Sequence, residues 1–277
     1  MYKYINMAMD DIDLYEFAWL TTQQVVVTSD NKANNIKAFG SGFFLQYKNN
    51  LFFVTADHVS HSDDFEKGIR LEKDDYLWVF NNINSKLSTI LTPIGGLFSF
   101  DQMNTEDELS FDIPDMKDIS FAMHPNSFKY PFLTHELKNN KGVIVEAGKA
   151  KIFICSECVA ELSDTDYCLI EGCVKYDIKN GITLYKENVI HQGLKLERIN
   201  EDGYYILKYP NPVIYEEWEG LSGGPVFNQK AQLIGMIIEV NKNDDTVKVI
   251  PINKITELMD FAIKYEMSIT KTKDGKQ

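Results

Sequence analysis

Strand-length apolar runs recur through nearly the whole chain, whereas sustained helical periodicity is confined to its far end, and this contrast sets the fold class. The runs cover Gln24 to Thr28, Gly42 to Tyr47, Leu51 to Thr55, Tyr76 to Phe80, Ile119 to Met123, Gly142 to Glu146 and Lys151 to Cys155. Others cover Cys168 to Val174, Tyr204 to Lys208, Gly224 to Phe227, Leu233 to Val240 and Thr246 to Ile250. Clusters of Asn, Asp, Gly and Lys separate them. Branched and aromatic side chains suit the pleated surface of a sheet and the separating residues suit turns, so the chain is expected to be mainly β. Tyr47-Lys48-Asn49-Asn50-Leu51 and Phe227-Asn228-Gln229-Lys230-Ala231 read as hairpin tips.

Helical spacing joins Ile255, Leu258, Met259, Ala262 and Ile263, which predicts a C-terminal helix over 253–266. A weaker candidate runs from Asp10 to Leu20, its acidic start suiting a helix N-terminus. The stretch 101–118 is acidic and poor in apolar residues, which reads as a long surface loop, and Thr270 to Gln277 is expected to fray.

A chain of 277 residues, 44% hydrophobic, can bury a proper core as one or two compact units. Its 41 acidic residues outweigh 28 basic ones, and a net charge of −13 argues against nucleic acid as a partner, because phosphates need a basic face. The start, Met1 to Asn6 followed by Asp10, Asp11 and Asp13, lacks the layout of a secretory signal, and no stretch approaches a membrane-spanning length. A soluble cytoplasmic protein with no membrane partner is expected. The spacing C-x2-C-x9-C-x4-C of Cys155, Cys158, Cys168 and Cys173 raises a zinc site. The loose second pair and the strand-like Ile152-Phe153-Ile154 favour instead reduced cysteines acting as small apolar residues.

Three motifs carry chemistry. Gly220-Leu221-Ser222-Gly223-Gly224-Pro225-Val226 combines a hydroxyl with flanking glycines. A nucleophilic serine needs a tight turn that exposes its oxygen and aims backbone amides at a developing oxyanion, although a plain glycine turn between strands has the same composition. Gly40-Ser41-Gly42-Phe43-Phe44-Leu45 followed by Leu51-Phe52-Phe53-Val54-Thr55-Ala56-Asp57-His58 delivers a histidine at the end of a buried strand, where a general base has a fixed backbone. Asp118-Ile119-Ser120-Phe121-Ala122-Met123 opens an apolar strand on a carboxylate.

Together these stretches resemble the trypsin-like (chymotrypsin-fold) serine proteases, especially bacterial members without disulfides. The order histidine, aspartate, serine is that family's among convergent triads. The resemblance implies two six-stranded antiparallel β-barrels and a C-terminal α-helix, with 20–135 as the first barrel and 136–266 as the second. It also implies a catalytic triad of His58, Asp118 and Ser222, with the amides of Gly220 and Ser222 as oxyanion hole. Asp112 and Asp115 lie near Asp118, and Asp57 was expected to point to the opposite side of a strand from His58. Gln232 to Glu239 resembles the strand walling the primary specificity pocket, so Ile238, Glu239 and Val240 are expected to bind substrate.

Glu216, six residues before the serine, matches the family's pocket base, where a buried carboxylate would favour Lys or Arg; a solvated acidic loop, or a pocket filled by Tyr215 or Trp218, are the alternatives. The implied chemistry is peptide-bond hydrolysis through an acyl-enzyme on a protein or peptide substrate, needing neither metal nor cofactor. Leu221 replaces the aspartate that secreted trypsins carry before the serine, and no activation site is visible, which suggests an activating partner protein. A silent protease-fold protein that binds peptides is the principal rival. A hydrolase with a G-x-S-x-G elbow fails on chain order, because the last histidine, His191, precedes Ser222. His61, His124, His135 and His191 lack metal-ligand spacing and read as surface or structural residues.

Overall fold

The computed structural model describes residues 13–29, 36–61, 75–84, 87–94, 97–100, 117–124, 136–139, 142–179 and 183–274. The expected acidic loop therefore lies, up to residue 116, outside the described residues, as do residues 10–12 of the first helix candidate. That helix, α1 (Leu14–Thr21), starts at Asp13, whose carboxylate accepts the Tyr15 N–H at 2.7 Å and so satisfies an orphan donor of the first turn.

The first group of strands is β1 (Thr22–Thr28), β2 (Ile36–Tyr47) and β3 (Asn50–Thr55), then a single helical turn, α2 (Asp57–Ser60). It continues with β4 (Tyr76–Asn84), β5 (Leu87–Ile94), β6 (Leu97–Phe100) and β7 (Lys117–His124). Their order in the sheet is β5-β4-β1-β2-β3-β7-β6. Next come a small ribbon of β8 (Leu137–Asn139) and β9 (Gly142–Val145), and β10 (Ile154–Cys155), which returns to pair in parallel with β2. Among the described residues this sheet is an open, half-barrel path of seven strands, and β10 makes it eight-stranded.

β2 and β3 meet through Lys48 and Asn49, both at positive φ (46° and 65°), the twist that a two-residue hairpin requires. Close packing here depends on Gly42: a Cβ there would lie 2.6 Å from the Phe53 ring and 2.7 Å from the Val54 carbonyl oxygen.

The second group is β11 (Cys168–Lys179), β12 (Thr183–Ile199), β13 (Tyr205–Lys208), β14 (Pro225–Asn228), β15 (Leu233–Asn241) and β16 (Thr246–Pro251). These six form a closed barrel in the order β11-β12-β13-β16-β15-β14. Sequence pattern missed β5, β6, β8 and β12; in β12 the charged alternation Lys195-Leu196-Glu197-Arg198 and the internal Gly193 hide a strand that pairs β11 over most of its length. The hairpin from β14 to β15 is tied by the Asn228 side chain, which accepts the Lys230 and Gln232 N–H groups at 3.0 Å each.

The terminal helix, α3 (Ile252–Asp274), extends beyond the expected 253–266 and runs through residues expected to fray. No described helix is long and apolar enough to cross a membrane.

Two large clusters of apolar side chains fill the interior, beside a small one of Trp19, Leu20 and Val145. One lies within the barrel and holds Ile170, Leu207, Trp218, Leu221, Ile234 and Ile237. The other is continuous from Phe43, Phe52, Phe53 and Phe121 of the open sheet through Met236 and Ile250 of the barrel to Ile255, Leu258 and Met259 of α3. At α3 this contact is fastened by Asp260, which accepts hydrogen bonds from Tyr47 Oη at 3.2 Å and Lys48 Nζ at 2.5 Å, across from the β2–β3 hairpin.

Candidate active site

β3 and β7 run antiparallel with Thr55 opposite Ser120, so the chain leaving β3 meets the chain entering β7. This register brings His58, on α2, against Asp118, and both carboxylate oxygens are used. Asp118 Oδ2 lies 2.6 Å from His58 Nδ1, and Oδ1 accepts the His58 backbone N–H at 2.8 Å. The histidine side chain is 32% exposed and the aspartate 15%, a sheltered pair with an open approach. An Nδ1–H directed at Asp118 leaves Nε2 as the nitrogen of the neutral ring that can take a proton. Burial pulls the His58 pKa down, but the hydrogen bond and charge of Asp118, with lesser contributions from Asp57 and Glu239, outweigh it, so the net shift is upward.

Asp57 is not on a strand. It opens α2, is fully buried, and its carboxylate has partners other than His58: Oδ1 lies 2.9 Å from His61 Nδ1 and accepts a short hydrogen bond from Ser120 Oγ. Ser60 Oγ lies 3.1 Å from Ser120 Oγ and 3.0 Å from the Asp57 carbonyl oxygen. Asp118 and Ser120 stand two apart on β7, so one strand holds α2 twice, by the ring of His58 and by the carboxylate of Asp57. Sequence reasoning missed this second attachment; the i, i+4 spacing of Asp57 and His61 was the available signal once a helical turn is assumed.

Ser222 sits on a turn between a 3-10 helix (Tyr215–Glu217) and β14. Gly220 and Gly223 have φ of 88° and 86°, which side chains with a Cβ rarely adopt. The turn uses the amides of Leu221, Gly223 and Gly224 on the carbonyls of Trp218, Ile237 and Leu221, at 3.1, 2.8 and 2.8 Å. Leu221 is fully buried in the barrel cluster, so an apolar side chain anchors the turn from inside.

The turn is docked on the first sheet. The Ser222 carbonyl accepts the Ser41 N–H at 2.8 Å, the Gly220 carbonyl accepts Ser41 Oγ at 2.8 Å, and the Ser41 carbonyl accepts Thr55 Oγ1 at 2.8 Å. A Cβ on Gly223 would stand 2.2 Å from the Ser41 oxygen and 2.8 Å from the Ala56 nitrogen, two residues before His58. Ser222 and His58 thus reach one seam between the sheet and the barrel.

Behind the serine, buried His191 stacks on Trp218 with centroids 3.7 Å apart and planes at 6°. Its Nε2–H donates to the Glu217 carbonyl at 2.8 Å, which leaves Nδ1 to accept from Tyr209 Oη at 3.1 Å. Burial lowers its pKa, with the Glu217 carbonyl opposing.

The other expected substrate residues are spread more widely. Ile238 is buried in the core, Glu239 is exposed with its carboxylate 3.6 Å from Lys248, and Val240 is half-buried. Glu239 and Val240, with Tyr215, Asn241 and Lys242, line a cleft of about 420 Å³. Glu216 lies exposed on the 3-10 helix, in the place of the solvated-loop alternative, and supplies no buried carboxylate for a basic side chain. Among the described residues no group of three or more His, Cys, Asp or Glu side chains could hold a metal ion.

The sequence matches no protein-family model and no curated protein. Among solved structures the chain is similar to the serine endoprotease from Yersinia pestis, with 12% sequence identity, a TM-score of 0.50, and 91% of this chain and 67% of that one covered. The fold is chymotrypsin-like. Within that fold Ser222 lies on the turn leading into β14 of the closed barrel, His58 on α2, Asp118 on β7 of the open sheet, and α3 follows the last strand.

Proposed function

We propose that the chain is a serine endopeptidase in which Ser222, His58 and Asp118 act together. The observation that carries this reading is the double hydrogen bond from Asp118 to the ring and backbone of His58, beside a glycine turn that presents Ser222 at the same seam. In the proposed reaction Ser222 Oγ attacks a peptide carbonyl carbon while His58 Nε2 takes the hydroxyl proton. The amides of Gly220 and Ser222 stabilise the oxyanion. The C–N bond then breaks as His58 returns the proton to the departing amine, and water cleaves the acyl-enzyme by the same steps. Asp118 keeps the ring in its reactive tautomer and supports the imidazolium.

The substrate backbone is assigned to the edge of β15 at Ile238 to Val240, with side chains entering the cleft beside Tyr215. The target proposed is a specific intracellular protein, and the chain's net charge of −13 suits a neutral or basic one. Leu221, packed where secreted relatives need a charged partner, fits a turn that is set without proteolytic activation.

A fluorophosphonate probe followed by intact mass tests the proposal. Wild type should gain one adduct, and Ser222→Ala and His58→Ala should gain none. An unlabelled wild type that stays unlabelled with candidate activators present would replace this reading with a peptide-binding protein of the same fold.

A further inference from the structure

Cys155 and Cys158 lie outside the chemistry above, yet their sulfur atoms are 2.8 Å apart. They flank Ser156 and Glu157 on one turn of 3-10 helix, with Cys155 at its N-cap, and both are half-buried, within reach of small solutes. The backbone on either side is fixed to a different part of the molecule. Ile154 and Cys155 pair with Leu45 and Gln46 of β2, while Val159 bridges Leu233 and the Ala160 N–H donates to the Leu233 carbonyl at 3.0 Å. These attachments hold the two backbone positions close, so only rotation of a side chain separates the sulfurs. Cys168, in contrast, is 1% exposed inside the barrel.

We propose that Cys155 and Cys158 form a reversible dithiol–disulfide couple, a redox-modifiable site whose oxidant is a small disulfide of the glutathione class. The thiolate of Cys155 attacks one sulfur of the small disulfide, forming a mixed disulfide and releasing one glutathione thiolate, which takes a proton from solvent. Cys158 then loses its proton and attacks the Cys155 sulfur, closing the protein disulfide and releasing the second glutathione. Two protein thiols are oxidised and one small disulfide is reduced to two thiols.

The order follows from environment. Burial, its hydrogen bond with Cys155 and the nearby Glu157 charge push the Cys158 thiol up to about 12, so it is the poorer attacking group in free solution exchange. Once the mixed disulfide exists, proximity replaces nucleophilicity, because the target sulfur is already beside it. A thiolate that the site does not stabilise also leaves the reduced form without the advantage that makes strongly oxidising C-x-x-C pairs easy to reduce.

The experiment counts thiols in the full folded chain, so it does not depend on peptidase activity, and Ser222→Ala protein should behave as wild type. Protein is equilibrated with mixtures of oxidised and reduced glutathione, quenched in acid, unfolded and alkylated with N-ethylmaleimide, then read by intact mass and peptide mapping. The expected result is that two of the four thiols disappear together, within the peptide holding Cys155 and Cys158, and return with dithiothreitol. Either Cys155→Ser or Cys158→Ser should block closure and leave a glutathione adduct on the remaining partner, while Cys168→Ser should change nothing. Closure should be at least about tenfold more favourable in the folded chain than in urea. Full alkylation under oxidising conditions, a lost pair mapping to Cys168 and Cys173, or equal closure in urea would each overturn the proposal.

Discussion

The histidine side and the serine side of the candidate site are held by different forces. Beneath His58 the fastening is polar and buried: two carboxylates, two hydroxyls and a second histidine bind one helical turn to β7. Around Ser222 it is backbone geometry and apolar packing, with two glycines at positive φ, two amide hydrogen bonds within the turn and one to β15, and Leu221 sunk in the barrel. A polar network fixes direction and charge, and is sensitive to the loss of one proton or one oxygen. A glycine turn packed on an apolar anchor is indifferent to charge and intolerant of volume.

Substitutions that change charge without shape should therefore damage the histidine side most. Asp118→Asn keeps the volume but offers the wrong partner to Nδ1–H, and the rate of probe labelling should fall about ten-thousand-fold. The residual pH profile should shift as well. His58 is raised in the folded protein, so labelling in wild type should increase with pH through a midpoint above the ordinary histidine value of about 6.5, and removing the Asp118 charge should bring that midpoint down. An unchanged midpoint would detach Asp118 from the base.

On the serine side a single methyl group is the sharper probe. Gly223→Ala adds a Cβ at positive φ against the Ser41 oxygen, and should cost about 3 kcal/mol or more in urea unfolding along with labelling. Ser120→Ala tests the network beneath α2: the buried Asp57 carboxylate loses a donor, for a cost of about 1.5–3 kcal/mol, with labelling slowed but not abolished. If Ser120→Ala proved as mild as an exposed substitution, the contrast between the two sides would dissolve.

The smallest effect distinguishes the sides by the sign of their pH dependence. His58 has its folded pKa raised, so its contribution to stability is complete below about 6.5 and is lost as pH rises through the folded value. His191 has its folded pKa lowered, so its contribution is present above about 6.5 and is lost as pH falls through that region towards the folded value. Urea midpoints across this range should change with opposite slope in His58→Gln and His191→Gln relative to wild type.

What could be seen in the sequence was what is local in it. The glycines around Ser222, the strand leading to His58 and the carboxylate opening β7 each announce themselves within a few residues, and together they indicated the fold. Asp57 did not, because its direction depends on β3 ending at Thr55 and a helical turn starting at once, a boundary no periodicity marks in so short a segment. Glu216 depended on loop geometry, and a 3-10 turn rotates it to solvent. The closeness of Cys155 and Cys158 belongs to a single 3-10 turn, and its fastening to strand β10 and the bridge to Leu233, contacts across more than seventy residues on one side and a hundred on the other, about which spacing alone is silent.

The continuous core that ends on α3 bears on the order of synthesis. Ile255, Leu258 and Met259 complete the packing that joins the open sheet to the barrel, and Asp260 ties the helix to the β2–β3 hairpin, yet all of them follow every described strand. Until α3 follows, a nascent chain holds this seam by the rest of the shared core and by the hydrogen bonds from Ser41 to the Ser222 turn, and the helix adds the last apolar layer over both.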